Sequence, residues 1–235
     1  MRKRLVISTM IFVVSLLCGN ALFAQVRNQS ELNILVNKAE SGNAEAQNNL
    51  GLTYQNGWIV SQSYEKAIEW YRKAANQGHA DAQNNLGLCY QYGWGVSQNY
   101  SLAASWFQKA VNQGSAMAQC NLGSLYFQGL GVAKDYSKAF NLLLKAANNG
   151  VLIAQYNVGG CYYDGNGVTK DYQKAVYWWR KSAEQGLALS QYSLGVCYHL
   201  GQGVVLDNTM ARKWLKKAAE QGNTDAIEII RKMNW

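Results

Sequence analysis

Glycine recurs every 36 residues along most of this chain, and that spacing constrains the fold more than any other feature. The glycines of this series are Gly42, Gly78, Gly114, Gly150, Gly186 and Gly222. Other positions keep the same period, such as the Leu50-Gly51 pair, Tyr54 and Gly57 of the first copy. Such self-similarity predicts a repeat architecture in which each copy is one supersecondary unit.

Each copy predicts two helices joined by a short turn. Ala46, Leu50 and Tyr54 form one apolar face of a first helix, helix A, over about residues 43–55, and Gly57 can end it in the left-handed conformation. A second helix, helix B, then begins at a residue suited to N-capping; these residues are Ser63, Asn99, Asp135, Asp171 and Asp207. Isolated helices of this length are marginal in water, so stacking of neighbours must provide the core. The sequence therefore predicts an all-α solenoid of helix-turn-helix repeats.

The period also sets the expected boundaries. Five repeats occupy residues 42–222, at about 43–78, 79–114, 115–150, 151–186 and 187–222. Residues 25–41 match helix B alone and predict an N-terminal half-repeat, and residues 223–235 match helix A alone and predict a C-terminal capping helix. Gly51 falls inside helix A, where glycine costs up to ~1 kcal/mol relative to alanine. Its presence predicts close approach by the partner helix.

The first 24 residues predict a secretory signal peptide. A basic cluster at residues 2–4 precedes a 13-residue apolar run at 5–17, and a small-residue stretch ends at Ala24. The run is short for a membrane span of ~20 residues, so no integral span is expected after cleavage. Cleavage after Ala21 is the alternative to cleavage after Ala24. The chain is therefore expected in the periplasm or outside the cell.

Cys18 offers a second interpretation of this segment, in which the cysteine becomes the lipidated first residue of a lipoprotein. Leu17 argues against it, because a lipoprotein signal would carry a small residue at that position. Lipid anchoring at Cys18 is therefore the less favoured prediction.

The charges exclude one class of partner. The formal net charge is +8, and removal of residues 1–24 lowers it to +5. The remaining charges are mixed in sign along the chain, and no run of like charge predicts a nucleic-acid stripe. We therefore expect no nucleic-acid partner.

The repeated pattern, A-x-A-x-x-x-L-G-x-x-Y-x-x-G-x-G-V…A-x-x-W-Y-x-K-A-A-x-x-G, is most complete at residues 80–114 and 152–186. It resembles the Sel-one-like repeat family, relatives of the tetratricopeptide repeat. Three departures, Ile59, Leu142-Leu143 and Asn208, place local turn geometry in doubt. The resemblance implies a right-handed superhelix with the A helices along a concave groove. It also implies a non-catalytic adaptor or scaffold for a protein or peptide, often in bacterial envelope or secretion contexts.

Similarity to the tetratricopeptide layout places groove residues two before, two after and five after the leucine of each Leu-Gly pair. The predicted partner-binding residues are Asn48, Gln55, Asn84, Gln91, Phe127, Tyr156, Tyr163, Tyr192 and His199. Repeats one and two thus offer amides suited to a peptide backbone, and later repeats offer aromatic anchors. The alternative is that Tyr156 and Tyr163 only fill gaps between repeats.

A glutamine occupies one helix-A position in every repeat, at Gln47, Gln83, Gln119, Gln155 and Gln191. Such a series could bind a ligand. Amide pairing that ties adjacent repeats together is the favoured interpretation.

Motifs with catalytic or metal-binding associations are weak here. Ser63–Lys66 spells S-x-x-K, but no S-D-N or K-T-G accompanies it, and Ser63 is better explained as a helix cap. Asp164–Gly167 only faintly resembles a calcium loop, and the two histidines lie more than three repeats apart. We therefore predict no catalytic residue, no metal and no cofactor. The runner-up function, a β-lactam- or peptidoglycan-interacting protein, is implied only by resemblance to cysteine-rich relatives.

The cysteines face a geometric limit. Cys89, Cys161 and Cys197 share one helix-A position, and equivalent atoms of stacked helices lie ~8–10 Å apart. A disulfide needs Cα atoms within ~7 Å. Buried thiols are therefore expected.

Overall fold

A computed structural model of the chain describes residues 28–235, and this part consists of twelve α-helices without a β-strand. The helices are α1 (Gln29–Glu40), α2 (Ala44–Asn56), α3 (Tyr64–Asn76), α4 (Ala80–Tyr92), α5 (Tyr100–Asn112), α6 (Ala116–Gln128), α7 (Tyr136–Asn148), α8 (Leu152–Asp164), α9 (Tyr172–Glu184), α10 (Ala188–Leu200), α11 (Asn208–Glu220) and α12 (Thr224–Met233). The all-α prediction is confirmed. The predicted signal peptide lies outside the described residues.

The helices alternate between A and B types, and each packs on the next along the chain from α1 to α6 and from α7 to α12. The described residues fall into two compact units, which we call the N-terminal unit (28–135, α1–α6) and the C-terminal unit (136–235, α7–α12). The most extensive packing joins an A helix to the B helix that follows it, as for α2 with α3 and α4 with α5, and for α8 with α9 and α10 with α11. Helix pairs repeated every 36 residues form the predicted solenoid of helix-turn-helix repeats.

The turn between helices A and B depends on two glycines. The first ends helix A in the left-handed conformation, as predicted; Gly57 has φ 70° and Gly93 has φ 72°. The second is held by the preceding B helix: a Cβ added at Gly95 would lie 2.5 Å from the backbone oxygen of Tyr64. Ile59 stands at this position in the first repeat and adopts φ 64°, a conformation that L side chains rarely take.

The predicted caps of the B helices are confirmed at four positions. The side chains of Ser63, Asn99, Asp171 and Asp207 each accept a hydrogen bond from a backbone N–H in the first turn of the helix they precede. Such a bond satisfies one of the amide groups that a helix leaves unpaired at its start.

The glycine inside helix A makes room for a helix-B side chain more than for backbone. A Cβ at Gly51 would lie 2.5 Å from Cε1 of Tyr71, and the nearest helix-B backbone atom, the oxygen of Ala67, would be 3.2 Å away. Gly87 meets Phe107 in the same way, at 2.5 Å. The close approach predicted from the sequence is therefore confirmed, with the ring of the B helix as the nearest group.

The core lies between the A and B helices. Ala67, Tyr71 and Ala74 of α3 are fully buried. Trp70 of the same helix is only half-buried, with Nζ of Lys73 located 3.8 Å from its ring centroid. This tryptophan packs at the edge of the cluster that α1 forms with α2.

Candidate functional site

The first pair of predicted groove amides, Asn48 and Asn84, forms hydrogen bonds within the N-terminal unit. Asn48 is 1% exposed, and its Oδ1 accepts a hydrogen bond of 3.0 Å from Nδ2 of Asn85. Asn84 is also buried and accepts a bond of 2.8 Å from Asn121. Each bond joins one A helix to the next. These two amides present little surface to a partner, and their role in binding stays a prediction.

The second pair of predicted groove amides, Gln55 and Gln91, has different hydrogen-bond partners in repeats one and two. In repeat one, the hydroxyl of Tyr71 donates to Oε1 of Gln55 at 2.8 Å. Repeat two has Phe107 at the corresponding helix-B position, so this donor is missing. Gln91 is buried; its Nε2 donates to the hydroxyl of Tyr92 at 2.8 Å, and its Oε1 has no partner among the described residues.

The predicted aromatic positions are divided between the units. Phe127, on α6, is half-buried in the N-terminal unit. Tyr156, on α8 of the C-terminal unit, is buried, and burial raises the pKa of its hydroxyl to about 12 although the side chain is hydrogen-bonded to Ser193. For Tyr156 the structure supports the interpretation that the ring fills a gap between repeats.

Tyr163 is a half-buried ring held from several sides. Its hydroxyl donates to Oε1 of Gln202 at 2.8 Å. Its ring centroid lies 5.0 Å from that of Tyr172 and 5.3 Å from that of Trp179. Burial, with smaller effects of Cys197 and Tyr172, raises the pKa of Tyr163 to about 12. The ring is thus fixed and uncharged at neutral pH, yet part of it stays accessible.

Tyr192 and His199, both on α10, are half-buried near the C-terminal helix. Tyr192 packs beside the cluster that contains Leu215 and Ala226, and burial raises its pKa to about 12. Nδ1 of His199 lies 2.9 Å from Oδ1 of Asn208, and its ring meets that of Trp235 edge-on at a centroid distance of 5.5 Å.

Several residues around these side chains escaped the sequence analysis. Gln202 lies in a turn, Tyr172 and Asn208 begin B helices, and Trp235 follows the capping helix. The predicted positions all lie on A helices, whereas these residues reach the same side chains from a turn, from the starts of B helices and from the residues that follow α12. The departure of Asn208 from the tyrosine of other repeats was the available signal.

The glutamine series is structural. Nε2 of Gln83 donates to the oxygen of Ala75 at 3.2 Å, and its Oε1 accepts from Gln113 at 2.8 Å. Gln47, Gln155 and Gln191 make the equivalent two bonds. Each of these amides therefore ties the preceding B helix to the B helix of its own repeat, and the favoured interpretation is confirmed for them.

The weak catalytic and metal motifs have structural explanations. Oγ of Ser63 accepts from the backbone N–H of Lys66 at 3.2 Å, which is the capping bond of α3. Asp164–Gly167 ends α8 and forms the turn of its repeat. Within residues 28–235, no group of three or more His, Cys, Asp or Glu side chains is placed to hold a metal ion.

The four cysteines of the repeats are buried, as expected. Cys89, Cys161 and Cys197 are free thiols, and burial raises the pKa of each to about 12. A thiol with such a pKa holds almost no thiolate at neutral pH and is a poor nucleophile.

Among the helices of residues 28–235, none combines the length and apolar character that a membrane crossing needs.

Comparison with protein families gives one match. The Sel1 repeat model matches five consecutive segments, at residues 44–79, 80–115, 116–151, 152–187 and 188–223. None of the curated protein sequences compared with the chain matches it.

Solved structures give further similarities. A Sel1 repeat protein from Oxalobacter formigenes is 37% identical, with a TM-score of 0.79, over 86% of this chain and 80% of that one. A protective antigen present in uropathogenic Escherichia coli strains, described as displaying an SLR fold, is 40% identical with a TM-score of 0.76. That match covers 82% of this chain and 41% of the antigen, so this chain spans less than half of the antigen's length. A Sel1 repeat protein from Klebsiella pneumoniae subsp. pneumoniae is 25% identical, with a TM-score of 0.58, over 86% of this chain and 98% of that one.

Proposed function

We propose that this chain, which belongs to the Sel1 repeat family, is a non-catalytic scaffold that binds a protein or peptide through side chains of its A helices. Proteins of this family are generally protein-interaction scaffolds.

The observation that carries the proposal is the fixed ring of Tyr163. A side chain that is already held by Gln202, Tyr172 and Trp179 loses little conformational entropy when a partner covers it. Aromatic side chains of this kind dominate binding energy at protein interfaces. Tyr192 and His199 extend the same character through the next A helix, α10.

The amide positions have a smaller part in the proposal. Asn48 and Asn84 are buried and bonded within the array, and Gln55 is bonded to Tyr71. We therefore place the main recognition in the C-terminal unit, whereas the sequence analysis divided it between amides and aromatics.

Site-specific photo-crosslinking tests this assignment. A photo-reactive phenylalanine analogue placed at position 163 or 192 should capture the same partner from a native bacterial envelope fraction. The matched control is position 177, where Tyr177 is 51% exposed on a B helix. Equal capture from position 177, or no capture from 163 and 192, would contradict the proposal.

Affinity for the captured partner supplies the second measurement. We expect Tyr163→Leu to weaken binding by at least about fivefold, since loss of an aromatic anchor costs more than ~1 kcal/mol. Tyr163→Phe keeps the ring and loses only the bond to Gln202, so it should bind within about threefold of the wild type. Circular dichroism of both variants checks that the helices remain.

We further propose that the chain is exported, on the strength of residues 1–24. A fusion of these residues to an alkaline phosphatase that lacks its own signal should be active in the periplasm, and retention of an inactive fusion in the cytoplasm would refute export. The mass of the mature N-terminus separates cleavage after Ala24 or Ala21 from lipidation at Cys18.

A further inference from the structure

Charge is divided unequally between the two units. Residues 28–135 contain 6 Lys and Arg against 7 Asp and Glu, a net charge of −1. Residues 136–235 contain 12 against 7, a net charge of +5. Positive and negative residues are mixed along the sequence, yet the two units differ in net charge. The positive net charge of the repeats belongs to the C-terminal unit.

Nine of the twelve cations of that unit lie on its B helices. Helices α7, α9 and α11 carry nine exposed cations and only two acidic residues, Glu184 and Glu220. The cations are Lys138, Lys145, Lys174, Arg180, Lys181, Arg212, Lys213, Lys216 and Lys217. The A helices of the unit, α8, α10 and α12, together have a net charge of −1. The basic residues thus belong to the opposite helix type from Tyr163 and Tyr192.

The turn of the fifth repeat exposes three large apolar side chains. Leu200, Val205 and Leu206 are 40%, 87% and 57% exposed. Leu206 packs against the start of this turn, since a Cβ atom added at Gly201 would lie 3.3 Å from the Cβ atom of Leu206. At the positions of Val205 and Leu206, the first two repeats carry Ser61-Gln62 and Ser97-Gln98. Helix α11, which holds four of the cations, begins directly after this apolar turn.

We propose that the B helices of the C-terminal unit form a face that binds the surface of an anionic phospholipid bilayer. Lysine and arginine of α7, α9 and α11 meet the phosphate groups, and the apolar turn of Leu200, Val205 and Leu206 enters the headgroup region. A basic face next to a short apolar insertion is the combination that holds proteins at membrane surfaces.

Two observations favour a lipid surface over an acidic protein or a nucleic acid. Seven of the nine cations are lysines, which act as point charges and suit a diffuse anionic surface, whereas paired recognition of single phosphates favours arginine. The side chain of Val205 is almost fully exposed, and an apolar residue in that position gains from a hydrocarbon boundary but gains nothing from a nucleic acid backbone.

Vesicle co-sedimentation tests the proposal on the chain from Gln25 onward, which contains every described helix. The chain should sediment with vesicles of phosphatidylglycerol and phosphatidylcholine at low salt, and should not sediment with phosphatidylcholine alone. Each cation near such a surface strengthens binding about fivefold. The triple variant Arg212→Gln, Lys213→Gln, Lys216→Gln should therefore bind about a hundredfold more weakly.

Two further variants separate the face from net charge. The control Lys66→Gln, Arg72→Gln, Lys73→Gln removes three charges from α3 of the N-terminal unit, and its binding should change less than about threefold. The pair Val205→Ser, Leu206→Gln restores the residues of repeats one and two and should weaken binding roughly tenfold. Equal losses in both triple variants, binding to polyglutamate or DNA in preference to vesicles, or sedimentation with neither vesicle would overturn the proposal. None of these outcomes bears on partner capture through Tyr163.

Discussion

At the scale of single residues, differences between repeats decide which polar groups find partners. The hydroxyl of Tyr71 donates to Gln55, and the exchange of tyrosine for Phe107 in the next repeat leaves Oε1 of Gln91 without a partner within residues 28–235. Sequence periodicity shows the exchange of Tyr71 for Phe107 but not its effect on the glutamine, because the two positions lie 16 residues apart on facing helices. From the sequence, the candidate binding residues could therefore be predicted as positions, but their hydrogen-bond partners could not.

Tyr71 and Phe107 occupy the same helix-B position, and exchanging one residue type for the other tests the hydrogen bond to the glutamine in both directions. Tyr71→Phe removes one hydrogen bond and should lower the free energy of unfolding by about 1 kcal/mol. Phe107→Tyr should raise it by a similar amount, because the new hydroxyl can donate to Oε1 of Gln91. Urea denaturation measures both, and a loss of stability in Phe107→Tyr would show that the site has no room for the hydroxyl.

Ile59 supplies a second test at this scale. Its φ of 64° disfavours a β-branched residue, and its side chain is largely exposed. We expect Ile59→Gly to stabilise the protein by about 1 kcal/mol, as relief of left-handed strain exceeds the added chain entropy. Thermal and urea unfolding measure the change.

The corresponding glycine of repeat two should respond in the opposite direction. A Cβ at Gly95 would lie 2.5 Å from the backbone oxygen of Tyr64, so Gly95→Ala should destabilise by more than about 2 kcal/mol. Equal responses at Ile59 and Gly95 would refute this account of the turn.

At the scale of the helices, the sequence was a strong guide because the signals are local. The caps, the glycine ends of the A helices and the 36-residue pairing all follow from residues within one copy. The exposure of the predicted groove residues depends instead on the neighbouring copy, as the pairing of Asn48 with Asn85 shows. For the same reason, the set of side chains around Tyr163 could not be read from one repeat.

The glutamine ties can be tested in the same terms. Gln83→Leu removes both hydrogen bonds of a buried amide, one to the oxygen of Ala75 and one from Gln113, so it should cost about 2 kcal/mol. The control Gln108→Leu lies on the exposed face of α5 and should change stability by less than ~0.5 kcal/mol. Similar effects of the two changes in urea denaturation would contradict the structural role of the series.

At the scale of the whole molecule, the buried thiols predict a sensitivity to alkali. Burial raises the pKa of Cys89, Cys161 and Cys197 from 9.0 to about 12. Below pH 9 each thiol keeps its proton in both the folded and the unfolded chain. Above pH 9 the unfolded chain loses protons that the folded chain retains, so stability falls as the pH rises toward the folded pKa.

The expected size of this effect is roughly 1 kcal/mol per pH unit for each buried thiol. Urea midpoints measured at pH 8.5 and pH 10 should therefore differ clearly. The variant Cys89→Ala, Cys161→Ala, Cys197→Ala should show a much smaller difference over this interval. An unchanged pH dependence in the triple variant would exclude the thiols as its cause.

The regular ties also set a rule for changes in the length of the chain. Gln113 bonds to Gln83 across 30 residues, and Asn85 bonds to Asn48 across 37, with equivalent bonds one period away. Excision of residues 80–115 would bring Gln119 to the place of Gln83 and Asn121 to the place of Asn85. Excision of a few residues more or fewer would leave both amides out of register. Insertions and deletions tolerated inside the array should therefore come in multiples of 36 codons.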